Sequence, residues 1–69
     1  MNDAYLRNVI EAALLAAGRS LPLTELAQLF EEGARPGAEE LRAAVEALAG
    51  EYAERGIEIK ETAAGFRIL

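Results

Sequence analysis

Residues 57–69 read Ile57-Glu58-Ile59-Lys60-Glu61-Thr62-Ala63-Ala64-Gly65-Phe66-Arg67-Ile68-Leu69. Ile57 and Ile59 alternate with Glu58 and Lys60, and Phe66 and Ile68 alternate with Arg67 and Leu69. A period of two belongs to strands, whose successive side chains point to opposite faces. Two such runs around Ala63-Ala64-Gly65 predict a β-hairpin. Parity then constrains the turn. Pairing Ala63 with Phe66, or Thr62 with Arg67, directs Ile57, Ile59, Phe66 and Ile68 to one face; a three-residue loop pairing Thr62 with Phe66 splits them. An even loop of two or four residues is expected, with those four side chains inward.

Upstream of Gly56 the period changes to 3.6. A helix is predicted from about Gly37 to Arg55, with Ala38, Leu41, Val45, Leu48, Ala49 and Tyr52 as its core stripe. Glu39 and Glu40 fall in its first turn, where the helix dipole favours negative charge. Gly50 falls on its outer face. Before the breaker-rich loop Gly33-Ala34-Arg35-Pro36-Gly37, the residues Leu23, Leu26, Ala27, Leu29 and Phe30 predict a helix of two to three turns. It starts at or just after Pro22 and ends near Glu32. The first helix is predicted from Asp3, as N-cap, to Ala17, with Gly18 just past its end. Leu6, Val9, Ile10, Ala13, Leu14 and Ala17 form its core arc; Arg7, Asn8 and Glu11 lie opposite, with Arg7 and Glu11 at a supportive i, i+4 spacing. A short strand is possible in the link at Ser20-Leu21. Three helices followed by a hairpin make an α+β, mostly helical chain: a winged helix-turn-helix, a three-helix bundle with a C-terminal β-hairpin wing. Residues 1–69 are read as one such domain.

The 69 residues contain no Cys and no His, which excludes a disulfide and a nitrogen- or sulfur-ligated zinc. A domain this small buries only roughly 60% of its unfolded surface. An efficient core and a contribution from an oligomer interface are both expected. Seven basic against twelve acidic side chains give a net charge of −5, the wrong sign for a generic nucleic-acid binder. The longest apolar stretch, Ala12 to Ala17, is far too short for a membrane span, and Asp3 and Glu11 do not fit a signal peptide. The chain reads as soluble and cytoplasmic, with no membrane partner.

Catalytic groups are scarce. There is no His, no Cys nucleophile and no G-x-S-x-G elbow. Ser20 and Thr24 read as turn or capping hydroxyls. Glu31-Glu32 and Glu39-Glu40 are adjacent residues that diverge on a helix, hence solvated surface and no metal site. Gly33 and Gly37 lack the Lys and hydroxyl of a phosphate loop. No enzyme and no cofactor are indicated. DNA reading by the third helix is also disfavoured. Its outer face carries Glu39, Ala43, Glu46, Ala47, Gly50, Ala53 and Glu54, and residues 38–55 hold five Glu against two Arg. Tyr5, Ala12, Leu15 and Ala16 remain outside the core arc of the first helix as a second apolar shoulder. They are the candidate dimer or partner interface, since a contiguous apolar patch usually has a use.

Several stretches resemble one family. Leu6-Arg7-Asn8-Val9-Ile10-Glu11-Ala12-Ala13-Leu14-Leu15-Ala16-Ala17-Gly18 is similar to the opening helix of bacterial segregation and condensation protein B (ScpB), close to L-x-x-I-I-E-A-L-L-F-A-S-G. Leu21-Pro22-Leu23-Thr24-Glu25-Leu26-Ala27 resembles its P-L-S-x-x-E-L-A, with Pro22 where the family more often has a Ser cap. Leu48 to Gly56 with Ile57-Glu58-Ile59-Lys60-Glu61 resembles L-x-x-x-Y-x-x-R-G-(I/L)-x-(I/L)-x-E, and Ala64-Gly65-Phe66-Arg67-Ile68 its G-G-(Y/F)-R-(I/L). The four pieces keep family order and spacing across nearly the whole chain. The resemblance implies the first of two winged-helix domains, as a piece of a longer protein or a shortened homologue. It further implies a homodimer that joins the kleisin ScpA and the SMC ATPase in a nucleoid-associated, chromosome-organising complex. The N-terminal domain is implicated in self-association, and the kleisin contact is credited mostly to the C-terminal one. The alternative is a small acidic winged helix of transcription-factor type that touches DNA through its wing and loop.

Overall fold

The computed structural model describes residues 2–69. Asn2, and not Asp3, caps the first helix. Its side-chain oxygen accepts from the backbone N–H groups of Ala4 (2.8 Å) and Tyr5 (3.2 Å), two of the donors that a helix start leaves unpaired. Asp3 thereby becomes the first residue of α1 (Asp3–Ala17), and Gly18 ends the helix in a left-handed conformation. Leu6, Ile10 and Leu14 are buried, with Val9, Ala13 and Ala17 packed at their edges. The expected Arg7–Glu11 pair is replaced by two contacts to the third helix. Arg7 Nε lies 3.3 Å from a Glu51 oxygen, and Glu11 accepts a hydrogen bond from the Tyr52 hydroxyl.

Leu21 forms the short bridge anticipated at Ser20-Leu21, and its partner is Phe66 in the wing. The Pro22 carbonyl accepts from the N–H groups of Glu25 and Leu26, opening α2 (Leu23–Ala27). This helix is shorter than the two to three turns expected. The N–H groups of Gln28, Leu29 and Phe30 reach only to the carbonyls three residues back, so the helix tightens and stops. Phe30 is drawn into the core, whereas Leu29, part of the same apolar helix pattern, is 48% exposed. A single 3₁₀ turn at Glu32–Ala34 follows, and Pro36 is buried.

In α3 (Ala38–Tyr52) the buried residues are Leu41, Ala44, Val45, Leu48 and Tyr52. The stripe is rotated from the expected one: Ala38 is exposed and Ala49 half-buried, while Ala44 is inside. The cause is the position of α1, whose Leu6 and Arg7 line one cleft together with Ala43, Ala44 and Ala47. The helix also ends earlier than Arg55, unwinding into a turn from Ala53 to Gly56.

The wing consists of β1 (Ile59–Thr62) and β2 (Gly65–Ile68), paired antiparallel. The loop is even, as parity required, and holds only Ala63 and Ala64. Its register differs from both pairings considered, because Thr62 lies opposite Gly65 and Glu61 opposite Phe66. Thr62 closes the turn one step early. Its Oγ1 accepts from the Ala64 N–H and bonds to the Gly65 carbonyl, both at 3.2 Å. Ile59, Phe66 and Ile68 still face the core. Ile57 does not: it precedes the strand and is 39% exposed.

The buried Tyr52 ties α3 to α1 and carries a pH signature. Burial, reinforced by its hydrogen bond to Glu11 and that carboxylate's charge, pushes its phenol from the ordinary 10.0 up to about 12. The folded chain keeps this proton where the unfolded chain has lost it. The contribution to stability is therefore complete below about pH 10 and is lost as pH rises through about 12. Urea denaturation across that window should show the decline, and Tyr52→Phe should flatten it.

Candidate interaction surfaces

The four candidate interface side chains of α1 are all solvent-exposed. Tyr5 and Leu15 are 57% and 61% exposed, and Ala12 and Ala16 lie open beside them. At about 100° per residue, Tyr5, Ala12 and Ala16 fall within about 40° of one another, while Leu15 stands further round the helix beyond Asn8. The structure thus brings three of them into one stripe and leaves Leu15 at its margin. Sequence reasoning missed Leu29. It lines a concavity of about 380 Å³ with Tyr5, Phe30, Glu31 and Ala34, so the apolar surface of α1 continues onto the end of α2. Its exposure follows from the early stop of α2, which an apolar 3.6 period does not reveal.

The outer face of α3 has the composition expected of it. Glu39, Ala43, Glu46, Ala47 and Gly50 are all exposed, as are Ala53 and Glu54 in the turn that follows the helix. Arg42, one of the two basic residues in this stretch, is turned away toward the wing. Its guanidinium meets Glu61 at 3.3 Å through both terminal nitrogens and lies 5.5 Å from the centre of the Phe66 ring. That pairing holds the guanidinium above its ordinary pKa and occupies a charge that a phosphate contact would need. Arg19 is likewise engaged, with Glu25 at 2.8 Å. On the wing, Lys60 and Arg67 are direct cross-strand neighbours.

The Ser20 hydroxyl sits 3.0 Å from that of Thr62 and helps seat the wing against the link after α1. It serves the turn, as its position suggested. Thr24 is exposed at the start of α2.

Three helices, an antiparallel wing and a bridge from Leu21 to that wing define a winged helix-turn-helix, here one whose third helix presents carboxylates instead of a basic reading surface. Residues 8–69 match the family model described as segregation and condensation complex subunit ScpB, and the chain belongs to that family. It is also similar to the segregation and condensation protein B homolog of Coxiella burnetii, with 36% identity over 67 residues. The match covers 97% of this chain and 32% of that protein, so the chain spans about a third of the length of the relative. No solved structure matches it significantly.

Proposed function

We propose that residues 1–69 act as one non-catalytic, protein-binding winged-helix module in a bacterial SMC–kleisin complex for chromosome condensation and segregation. The family match over residues 8–69 carries this reading. The acidic outer face of α3 supports it, because a helix that repels phosphate suits a domain that binds protein. In this reading the module dimerises, and its partners are the kleisin ScpA and the SMC ATPase. It needs no cofactor and works in the cytoplasm at the nucleoid; among the described residues no helix is long and apolar enough to cross a membrane. The direct test is the sedimentation mass of the chain, alone and mixed with the candidate kleisin.

Self-association is assigned to Tyr5, Ala12, Leu15 and Ala16. Small residues at Ala12 and Ala16 let a partner backbone approach closely, and Tyr5 and Leu15 add apolar area at the edges. Changing Ala16 to Glu together with Leu15 to Lys should convert a dimer into a folded monomer, read by sedimentation and circular dichroism. An unchanged dimer mass would place the contact elsewhere.

The rival reading, a DNA-binding winged helix, has Lys60 and Arg67 as its support. For the proposed module no duplex binding is expected at submicromolar concentration and about 0.15 M salt, measured by fluorescence anisotropy. Submicromolar binding that is left unchanged when Glu39, Glu46 or Glu54 is reversed to Lys would favour the rival.

A further inference from the structure

The wing has two edges, and one of them is bridged to the link after α1. Leu21 and Phe66 exchange backbone hydrogen bonds of 2.8 Å in both directions, an isolated bridge that occupies the outward groups of Phe66 on the edge of β2. On β1, Glu58 exchanges backbone bonds with Leu69. Antiparallel ladders alternate, so Glu58, Lys60 and Thr62 bond inward to β2. Ile57, Ile59 and Glu61 turn their N–H and C=O groups to the opposite edge, where no other backbone segment among the described residues meets them.

We propose that this edge pairs with β1 of a second copy, antiparallel, about a two-fold axis through Ile59. Self-pairing must bring outward-facing residues opposite one another, which leaves registers centred on Glu58, Ile59, Lys60 or Glu61. Three of these place a charge against its own copy at the axis, an arrangement that costs stability. The register centred on Ile59 places Ile59 against Ile59 and Ile57 against Glu61. It also sets Glu58 opposite Lys60 of the second copy, twice over. These are pairs not joined by hydrogen bonds, in which facing side chains come closest.

A second observation on the same strand favours this occupant. Inside one chain, the cross-strand neighbour of Lys60 is Arg67, a like charge, and neither Glu58 nor Lys60 takes part in an ion pair among the described residues. Glu58 of a second copy lands beside Lys60 and offsets that repulsion. The contact uses none of the α1 residues assigned above. Operating together, two different two-fold contacts would link copies into an extended array rather than a closed dimer.

The test uses two charge reversals at exposed positions, Glu58→Lys and Lys60→Glu. Each variant alone faces like charges at both copies of the pair, and its association through the wing should weaken about tenfold or more. An equimolar mixture of the two regains both opposite-charge pairs and should associate at least as well as the unaltered chain. Sedimentation reads the mass. Hydrogen exchange reads the site: in the unaltered chain the amides of Ile59 and Glu61 should gain protection as concentration rises, while that of Lys60, bonded within the wing, should not. The α1 contact does not touch these amides, so its failure and the failure of this proposal are separable. Two results would overturn it. One is single variants that protect Ile59 and Glu61 as well as the unaltered chain does. The other is a mixture no better than its components, which would mean that Glu58 and Lys60 guard the edge, or that the helical bodies, set by the two-fold on one side of the sheet, hold the edges apart.

Discussion

Gly65→Ala should destabilise the chain by about 3 kcal/mol or more, enough to unfold much of the population of a domain this small. Gly65 opens β2 with φ at 128°, a conformation that side chains rarely adopt. A Cβ there would lie 2.2 Å from the carbonyl carbon of Leu21, 2.3 Å from its oxygen and 2.4 Å from the Pro22 nitrogen. All three are backbone atoms, so no side chain can swing aside. Relief would require pulling the Leu21 bridge off Phe66, and with it the contact between the wing and the link after α1. Gly18 supplies the control. It too has positive φ, at 63°, yet nothing lies within 4 Å of an added Cβ. Gly18→Ala should therefore show only the left-handed penalty, about 1–2 kcal/mol. Urea midpoints of the two variants would check the contrast, and equal losses would show that the close approach at Gly65 contributes nothing.

Phe66→Ala carries the next largest expected effect, a loss of about 3 kcal/mol. The ring is buried in the same core as Leu6, Ile10, Leu26 and Leu48. It is also the residue through which the wing meets both neighbouring elements: its backbone is bridged to Leu21, and its ring lies beneath the Arg42 guanidinium. Truncation leaves a cavity at the junction of wing and bundle, and the loss should appear as a lower urea midpoint at an unchanged slope. Phe66→Leu, which keeps most of the apolar volume, should recover the greater part. A loss below about 1 kcal/mol for the Ala variant would mean that the wing folds back to fill the space.

Taken together, these substitutions treat Leu21, Gly65 and Phe66 as the joint of the molecule. The wing is held to the bundle by two backbone hydrogen bonds, the buried Phe66 ring and the half-buried Ile59 and Ile68, and the Ser20–Thr62 and Arg42–Glu61 pairs add polar contacts at the surface. The latter pair withdraws Arg42 from the outer face of α3. The construction of the wing and the acidity of that face are thus coupled through one side chain.

Much of this was legible in the amino-acid order. The switch of period after Gly56 set the order of elements, because burial on one side of a helix and on one side of a strand leaves different spacings. The parity of Ile57, Ile59, Phe66 and Ile68 required an even loop, although Ile57 itself stayed outside the core, and carboxylates at Glu39 and Glu46, with Glu54 just past its end, made the outer face of α3 acidic whatever its tilt. Four stretches in order were enough to indicate the family. What the order of residues left open depended on partners distant in the chain. Asp3 and Asn2 are both good caps, and backbone geometry chose between them. The true register of the wing rests on the Thr62 hydroxyl and on the closeness of Gly65 to Leu21, neither of which alternation contains. Ala44 was buried in place of Ala38 because α1 packs on one flank of α3. Arg7 and Glu11 parted because Glu51 and Tyr52 came within reach. Local periodicity reports which face of an element is apolar; only packing decides which neighbour covers that face, where the element stops, and which charges are left free to meet a partner.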